Sequence, residues 1–462
     1  MYDVIIIGAG PSGLFAANEL ANSKKVAIID AGVDLTDKKC TIETDKKQCT
    51  FCPPVCHIMG GFGGAQFFEG TKLSIFPAGS GFVNFAGGVS NAKNQYAYVD
   101  SILERHGKQP RPEPDQEAVD ALKASFARQG IDMKYYNSQK VSKSTMNQIA
   151  LSLKQELLDK GVDILLREQV LDVAKNPDGT FKITTSKGQY LAKNTIFAVG
   201  RLGSRQLTKF ADKLGMQYEN EDHEIELGVR VEMPYQVFDK VNNVHNDLKL
   251  KKQIGADEEL RTFCQDYKGF ITKCVYNMKG DKIISSLDGH IVGTDEEGGR
   301  LSPVTNLAVH HRYKVNQDIG EIYETINGIN VRKKPIVQSL RNFMNNSNEP
   351  NHFANPLSMP DVAEGNINDF LPQRSSEAIK EFIRQIDKVL PGFANGGNTV
   401  YAPSFEMGWK KFNISEDFET TVPGAYIIGD VTGHFRGAMQ AMASGVLCGK
   451  RMLEKEEGVI NL

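Results

Sequence analysis

The first thirty residues place a glycine-rich turn between two short apolar runs. Residues 3–13 read DVIIIGAGPSG, a β-branched run that leads at once into glycines. Such a run favours a buried parallel strand. Residues 14–23 predict a helix, and a second apolar run, KVAIID, ends at Asp30. A strand, a tight turn, a helix and another strand predict a β-α-β unit, so the chain should open with a parallel sheet.

The turn has the glycine spacing of a phosphate-binding loop. Its G-x-G-x-x-G glycines are Gly8, Gly10 and Gly13. The first permits a tight turn, the second lets a diphosphate approach the backbone, and the third lets the helix pack closely on the strand. The helix start at Pro11 and Ser12 would offer N–H groups to the phosphates, and Asp30 stands where an acidic side chain binds a ribose diol. We predict a dinucleotide-binding turn.

A second strand-turn-helix pattern lies near the C-terminus. Residues 421–445 read TVPGAYIIGDVTGHFRGAMQAMASG, in which an apolar run ends at Gly429-Asp430 and Gly437-Ala438 opens a helical stretch. This pattern resembles the second flavin fingerprint of the glutathione-reductase-type FAD fold. The resemblance implies that Asp430 binds a ribityl hydroxyl and that the helix start faces the flavin and its diphosphate.

Two further segments resemble parts of the same superfamily. NTIFAVGRLGS (194–204) is similar to its "ATG" strand, with Ala198 and Gly200 in the turn, and GVDILLREQVLDV (161–173) is similar to the strand that places a backbone amide on adenine, here at Val170. With the two glycine turns these segments imply that the cofactor is FAD.

The fold class expected from this resemblance is α/β. A second G-x-G-x-x-G after a strand, which would mark a separate pyridine-nucleotide domain, does not occur in the sequence. The chain therefore resembles hydroxybenzoate-hydroxylase and amino-acid-oxidase-like proteins, which have a Rossmann-like FAD-binding domain with an inserted α+β substrate domain. The expected FAD-binding domain comprises 1–95, 146–210 and 395–462, and the expected substrate domain comprises 96–145 and 211–394. Residues 146–161 have apolar positions at helical spacing and predict a helix.

A narrower resemblance links the chain to a family of largely uncharacterised microbial FAD-dependent dehydrogenases. The similar blocks are GFGGA at 61–65, Lys72-Leu73, ELGVRVEMP at 226–234 and RTFC at 261–264. The chain departs from that family at Gln66, at 69–71 and at 429–433, which leaves the substrate open. The glycine loop is expected to contact the cofactor through Gly63 and Gly64, because backbone without side chains can approach it closely; a surface loop is the alternative.

Four of the seven cysteines precede this loop: Cys40, Cys49, Cys52 and Cys56. Four thiolates are enough for a [4Fe–4S] cluster or a tetrahedral zinc ion, and Cys49-x-x-Cys52 alone could form a redox dithiol. The spacing matches neither common ferredoxin pattern, so an iron–sulfur cluster, zinc, a dithiol and inert thiols all stay open.

The candidate catalytic residues are Lys72, Glu406, His434 and Arg436. Hydride transfer to flavin usually needs an acid or base for the accompanying proton. His434 and Arg436 follow the Gly-Asp pair and should lie near the flavin edge, facing either substrate or phosphate. The resemblance implies that Lys72 keeps a family position, although an exposed lysine is an equal interpretation, and Glu406 aligns loosely with a glutamate of the family. The pair His310-His311 falls in the expected substrate domain, where a polar surface explains it as well.

Composition limits the kinds of binding partner and the location that we expect. With 54 basic and 57 acidic residues the net charge is −3, so we expect no nucleic-acid partner. We also expect no membrane-spanning helix, because no run of about 18 apolar residues occurs, and no signal peptide, because no basic segment precedes the first apolar run. Few cysteines favour a cytoplasmic location. The expected function is an FAD-dependent oxidoreductase (dehydrogenase or reductase) acting on a small molecule, with NAD(P)H or a protein as external electron donor or acceptor. A flavin monooxygenase, a flavin-dependent tRNA-modifying enzyme and a flavin-free binding protein are the alternatives.

Overall fold

The computed structural model describes residues 1–40, 52–219, 224–277, 283–290, 302–315, 334–406, 410–456 and 458. Side chains are described in these ranges except at 273–290 and 456. Two large sheets organise the described residues, and helices cover them.

The first sheet has seven strands and contains segments from both ends of the chain. Its strands are β1 (Tyr2–Ile7), β2 (Val26–Ile29), β6 (Asp163–Leu165), β7 (Val170–Lys175), β8 (Phe181–Thr185), β9 (Gln189–Phe197) and β21 (Ala425–Ile427). The order is β6-β2-β1-β9-β8-β7, with β21 beside β9. Strands β2, β1, β9 and β21 are parallel, and their last residues, Ile29, Ile7, Phe197 and Ile427, are in register. Their carboxyl ends therefore meet at one edge.

The helices begin and end as follows: α1 (Pro11–Leu20), α2 (Gly64–Glu69), α3 (Phe82–Ala86), α4 (Val89–Arg105), α5 (Gln116–Ala127), α6 (Lys143–Asp159), α7 (Gly200–Leu214), α8 (Asp239–Asn242), α9 (Leu340–Asn345), α10 (Gln373–Asp387) and α11 (Ala438–Glu456). The helix predicted over 146–161 is α6. Ser142 caps it by accepting a hydrogen bond from the Thr145 amide at 3.1 Å, and Ile149, Leu153 and Leu157 bury its apolar side.

Helices α1 and α11 pack at very short range, which joins the two ends of the chain. A Cβ atom on Gly445 would lie 2.2 Å from the Ser12 carbonyl oxygen, and one on Gly449 would lie 2.7 Å from the Glu19 Cβ. Only glycine allows two helix backbones to approach this closely, so α11 holds α1 against the parallel sheet.

The second sheet has eight strands in the order β18-β17-β19-β11-β16-β13-β12-β4. These strands are β4 (Asp132–Lys134), β11 (Glu224–Pro234), β12 (Lys249–Gly255), β13 (Glu258–Asp266), β16 (Val304–Lys314), β17 (Ile336–Ser339), β18 (Ala363–Glu364) and β19 (Thr399–Glu406). Three strand pairs stand apart: β3 (Thr71–Ser74) with β5 (Ser138–Val141), β10 (Tyr218–Glu219) with β20 (Lys411–Phe412), and β14 (Phe270–Asn277) with β15 (Ile283–His290).

The two faces of the second sheet differ in polarity. Side chains alternate along a strand, so Leu227, Val229 and Val231 of β11 enter an apolar core that also contains Phe382 and Ile383 of α10. The other face carries charged side chains that are nevertheless buried: Glu226, Arg230 and Glu232. Buried charges need partners, and other strands of the same sheet supply them: Arg261 binds Glu226, Asp266 binds Arg230, and Tyr401 binds Glu232.

The α/β fold class is confirmed, with a Rossmann-like first sheet. The domain boundaries stay a prediction. Strand β19 lies in the segment 395–462 but pairs in the second sheet, and α4 crosses the expected boundary at residue 95 while packing in the core beside α1. Among the described residues, none of the helices has the length and apolar character that a bilayer crossing requires.

The α1–α11 contact yields a stability prediction. A helical Gly→Ala change alone gains about 1 kcal/mol in propensity, whereas overpacking costs about 1–3 kcal/mol. For Gly445→Ala we expect a net loss, seen as a lower urea-unfolding midpoint. Gly188→Ala, at an exposed position with no atom within 4 Å of the added Cβ, should leave the midpoint unchanged. A higher midpoint for Gly445→Ala would contradict the close contact.

Candidate functional site

In the turn between β1 and α1, close backbone contacts require glycine at two positions but not at the third. A Cβ on Gly8 would lie 2.3 Å from the Ala198 carbonyl oxygen, and one on Gly13 would lie 2.1 Å from the Gly8 carbonyl oxygen. Around Gly10 no atom lies within 4 Å of an added Cβ, and its φ of −80° suits any residue. Contacts within the described protein therefore do not explain Gly10; a ligand that occupies the open space would.

Asp30 directly follows β2, and its carboxylate accepts hydrogen bonds from three backbone amides. Its Oδ2 accepts from the Ala9 amide at 2.8 Å, and its Oδ1 accepts from the amides of Gly32 at 2.7 Å and Gly61 at 3.1 Å. An ionised carboxylate has about four acceptor positions, so one is left for a further donor such as a ribose hydroxyl.

The glycine loop lies against this turn, while its contact with a cofactor stays a prediction. The Gly63 amide donates to the Ala9 carbonyl at 2.8 Å, and the Phe62 amide donates to the Val33 carbonyl at 3.0 Å. A Cβ on Gly64 would lie 3.4 Å from the Gly10 Cα. Residues 60–64 thus form a wall of the space beside Gly10.

Lys38 belongs to the same wall, and the sequence analysis missed it. Its Nζ donates to the Gly64 carbonyl at 2.7 Å, and the side chain is buried. Burial lowers the pKa of Lys38 to about 8, although the nearby charges of Asp30 and Glu69 act in the opposite direction. Nothing in the run DKKC distinguishes this lysine from an exposed one, so sequence alone offers no signal.

The C-terminal turn meets the start of α1. A Cβ on Gly429 would lie 2.8 Å from the Ser12 Oγ. Asp430 accepts from the Gly437 amide at 3.2 Å, immediately before α11 begins at Ala438. The starts of α1 and α11, which the sequence predicts separately, therefore lie close together.

The remaining predicted cofactor residues lie around the same edge of the sheet. Ala198 contacts the Gly8–Gly13 turn, and Gly200 begins α7 directly after it. Val170 is the buried first residue of β7. The segment just before Val170 runs beside Asp30, since the Glu168 amide donates to the Asp30 carbonyl at 3.0 Å.

Two of the candidate catalytic residues form an ion pair beside this crevice. Arg436 Nη1 lies 2.6 Å from Glu406 Oε2. Arg201, another residue that the sequence analysis missed, lies 3.7 Å from Glu406 Oε1 and 3.5 Å from Asp430 Oδ2. Glu406 is the last residue of β19, so this ion-pair network connects the polar face of the second sheet to the crevice of the first.

The other two candidate catalytic residues have structural partners. His434 Nε2 donates to the Phe412 carbonyl at 2.8 Å, and its ring packs edge-on to Phe85; burial lowers the pKa of His434. Lys72 Nζ contacts Asp247 at 2.9 Å and Asp266 at 3.4 Å. Burial alone would lower the pKa of Lys72, but these two carboxylates hold it well above its usual value. Catalytic roles for Lys72 and His434 stay predictions, and the geometry favours positioning roles.

The cysteine set is only partly within the described residues. Cys40, Cys52 and Cys56 are half-buried, and Cys49, on which the four-cysteine set and the Cys-x-x-Cys pair both depend, lies outside the described residues. Within the ranges that the structure describes, no three His, Cys, Asp or Glu side chains are grouped so that they could hold a metal ion.

Comparison with solved structures gives matches at low TM-score and low identity. CtdE in complex with FAD and substrate 4 has a TM-score of 0.39 and 13% identity, over 98% of this chain and 85% of that chain. Glycine oxidase from Bacillus cereus has a TM-score of 0.41 and 12% identity, over 100% of this chain and 96% of that one. A flavoprotein/dehydrogenase from Cytophaga hutchinsonii has 0.39 and 13%, over 99% and 79%.

No protein-family model matches the sequence, and no curated protein matches it. At identities of 11–14% no residue role is transferred from the solved structures. The resemblances to the glutathione-reductase-type superfamily and to the microbial dehydrogenase family therefore stay predictions, and the function is argued from the chain's own contacts.

The buried Lys38 predicts a pH dependence of stability. Its pKa is about 8 when folded and 10.5 ordinarily, so the unfolded chain binds the proton more tightly between these values, and stability should rise with pH across that window. The expected recovery is on the order of 2–3 kcal/mol, at 1.36 kcal/mol per pKa unit. Urea unfolding of the protein and of Lys38→Met from pH 7 to 10 measures the difference.

Lys39→Met provides the control, because Lys39 is exposed. Its stability should follow that of the unaltered protein across the whole pH range. Parallel pH curves for Lys38→Met and the unaltered protein would contradict a depressed pKa at Lys38.

Proposed function

We propose that the crevice beside Gly10 binds FAD and that the protein is an FAD-dependent oxidoreductase acting on a small organic substrate by hydride transfer. The observation that supports this most is the contrast within the first turn. Gly8 and Gly13 are required by backbone contacts of 2.3 Å and 2.1 Å, whereas Gly10 faces open space. A diphosphate lying against the backbone would explain why a glycine stands at position 10.

The residues around this space suit the parts of a dinucleotide. The Leu14 amide donates to the Gly10 carbonyl at 3.0 Å as the first bond of α1, so the amides of Ser12 and Gly13 have no acceptor within the helix. These amides, with the positive end of the helix, suit a diphosphate. The remaining acceptor position of Asp30 suits a ribose hydroxyl. Asp430, which lies beside the start of α11, suits a ribityl hydroxyl.

FAD, when bound, would supply the hydride-accepting or hydride-donating atom, N5. The chain's own contribution is the buried polar face of the second sheet, which the Glu406–Arg436 ion pair at 2.6 Å connects to the crevice. A polar, water-poor face strengthens electrostatic interactions with a substrate. The external electron partner, NAD(P)H or a protein, stays a prediction, as does the cytoplasmic location.

Gly10→Ala separates ligand binding from folding. The added methyl group meets no atom of the described residues within 4 Å, so the unfolding midpoint should not fall, while the diphosphate loses its closest approach. We expect FAD binding to weaken about tenfold or more, equivalent to at least about 1.4 kcal/mol, in equilibrium titration of the apoprotein with FAD.

The matched control for Gly10→Ala is Gly188→Ala, which adds the same methyl group in open space far along the chain. It should leave both FAD affinity and stability unchanged. Unaltered FAD binding by Gly10→Ala would show that the cofactor lies elsewhere, and an unaltered protein that takes up no FAD would remove the proposal itself.

The cysteine-rich segment needs its own experiment, because only its spacing supports a metal site. A [4Fe–4S] cluster on Cys40, Cys49, Cys52 and Cys56 would give anaerobically purified protein about four iron and four sulfide per chain, and Cys52→Ala would lose both. Zinc in place of iron would support the tetrahedral alternative. Flavin absorbance without metal or sulfide would contradict both.

A further inference from the structure

His310, on the polar face of the second sheet, stands between a carboxylate and a hydroxyl. Its Nδ1 lies 3.2 Å from Glu226 Oε1, and its Nε2 lies 2.8 Å from Ser404 Oγ. Arg261 binds the same Glu226 at 2.6 Å, and the ring of Phe263 covers the imidazole edge-on. All three members of the chain Glu226–His310–Ser404 are buried.

A glycine on the strand between His310 and Ser404 leaves room for the hydrogen bond that joins their side chains. The two residues lie on β16 and β19, which are separated by β11, and both are in register with Gly228 of β11. Because Gly228 has no side chain, the imidazole and the hydroxyl can meet above it. The segments ELGVRVEMP and RTFC, which stand out in the sequence, thus supply Glu226, Gly228, Arg261 and Phe263 around one histidine.

This chain of hydrogen bonds lies next to the proposed flavin crevice. Glu226 is in register with Glu406, and Glu406 is the residue paired with Arg436 just ahead of α11. His310 is in register with Gly228, two residues along β11 from Glu226, so it lies close to the Glu406–Arg436 ion pair.

The charges around His310 fix its protonation. Burial raises the pKa of Glu226, but the charge of Arg261 and the hydrogen bond from His310 more than offset it, so Glu226 stays ionised. An ionised carboxylate only accepts, so Nδ1 carries the proton. Burial lowers the pKa of His310, against the pull of Glu226 and Glu406 and aided by Arg261. The ring is therefore neutral, and its Nε2 accepts from the Ser404 hydroxyl.

We propose that His310, acting through Ser404, takes up the proton released when a substrate alcohol or amine is oxidised at the flavin, an inference that rests on the proposed function. The substrate O–H or N–H proton passes to Ser404 Oγ while the Ser404 proton passes to His310 Nε2. The C–H bond of the substrate breaks, FAD when bound would accept the hydride with both electrons, and the C–O or C–N single bond becomes a C=O or C=N double bond in the product. Glu226 stabilises the imidazolium that results.

His311, the next residue, offers a matched control within the same strand. Its Nε2 lies 2.8 Å from Glu258 Oε1, its Nδ1 lies 3.1 Å from Ser375 Oγ, and Arg374 also binds Glu258. The chemistry is the same, but Ser375 belongs to α10, on the apolar side of the sheet. A hydrogen-bond network that only stabilises the fold would serve equally well at either histidine.

The test measures the midpoint potential of the bound flavin against pH in the FAD-loaded protein, His310→Gln and His311→Gln. One proton linked to a two-electron couple changes the equilibrium constant tenfold per pH unit, or about 30 mV. We expect the unaltered protein and His311→Gln to share a slope about 30 mV per pH unit steeper than that of His310→Gln, over the pH range in which His310 is neutral before reduction of the flavin and protonated after it.

Should His310→Gln fail to fold, nitrogen NMR of the ¹⁵N-histidine-labelled unaltered protein replaces it. Reduction by dithionite should then protonate the His310 Nε2 and leave His311, assigned from His311→Gln, unchanged. Equal potential slopes in all three proteins, or an unchanged His310 signal, would overturn the relay while leaving FAD binding intact. Failure of every protein to bind FAD would instead overturn the proposed function.

Discussion

Everything at the crevice depends on a contact between backbone atoms that leaves no room for side chains. Gly8 lies against the carbonyl of Ala198, and Gly13 lies against the carbonyl of Gly8. These contacts set the angle at which the chain leaves β1 and enters α1, and so fix where the first helix amides point. On the other side, the absence of a side chain at Gly445 lets α11 pack against the backbone of Ser12. The end of α1 that we propose binds the diphosphate is therefore held by packing before any ligand arrives, and a preformed site loses less free energy to ordering when it binds.

The second sheet is organised by the period of two along each strand. Its apolar face forms a core with α10, and its polar face places ionised and neutral groups in fixed pairs. Burying a charge without a partner would cost several kcal/mol, so the ion pairs Lys72–Asp266 and Arg436–Glu406 give the polar face its position against the first sheet. The same face supplies a hydroxyl and an imidazole close to the crevice. Fold stability and proton chemistry thus depend on one set of buried polar contacts.

Sequence patterns predict the parts of this structure that are local. The turn through Gly10 and the acidic residue at the end of the second strand follow from spacing alone, because every member lies within thirty residues. Glu406 and Arg436 were found singly, but their ion pair was not, since it depends on the course of two sheets. The position of Lys72 after the glycine loop predicts a catalytic residue, whereas the structure gives it two carboxylate partners that are distant in sequence, Asp247 just before β12 and Asp266 at the end of β13. The sequence explains His310 equally well as a polar residue on the surface; the structure buries it among partners from strands far apart in the chain.

A crystal structure of the protein grown with FAD tests the central claim most directly. The account predicts the diphosphate over Gly10, within hydrogen-bond distance of the Ser12 and Gly13 amides, with a ribose hydroxyl on Asp30 and the flavin ring facing the polar side of the second sheet. A diphosphate bound elsewhere, or a crevice filled by side chains while FAD is present in the crystal, would contradict it.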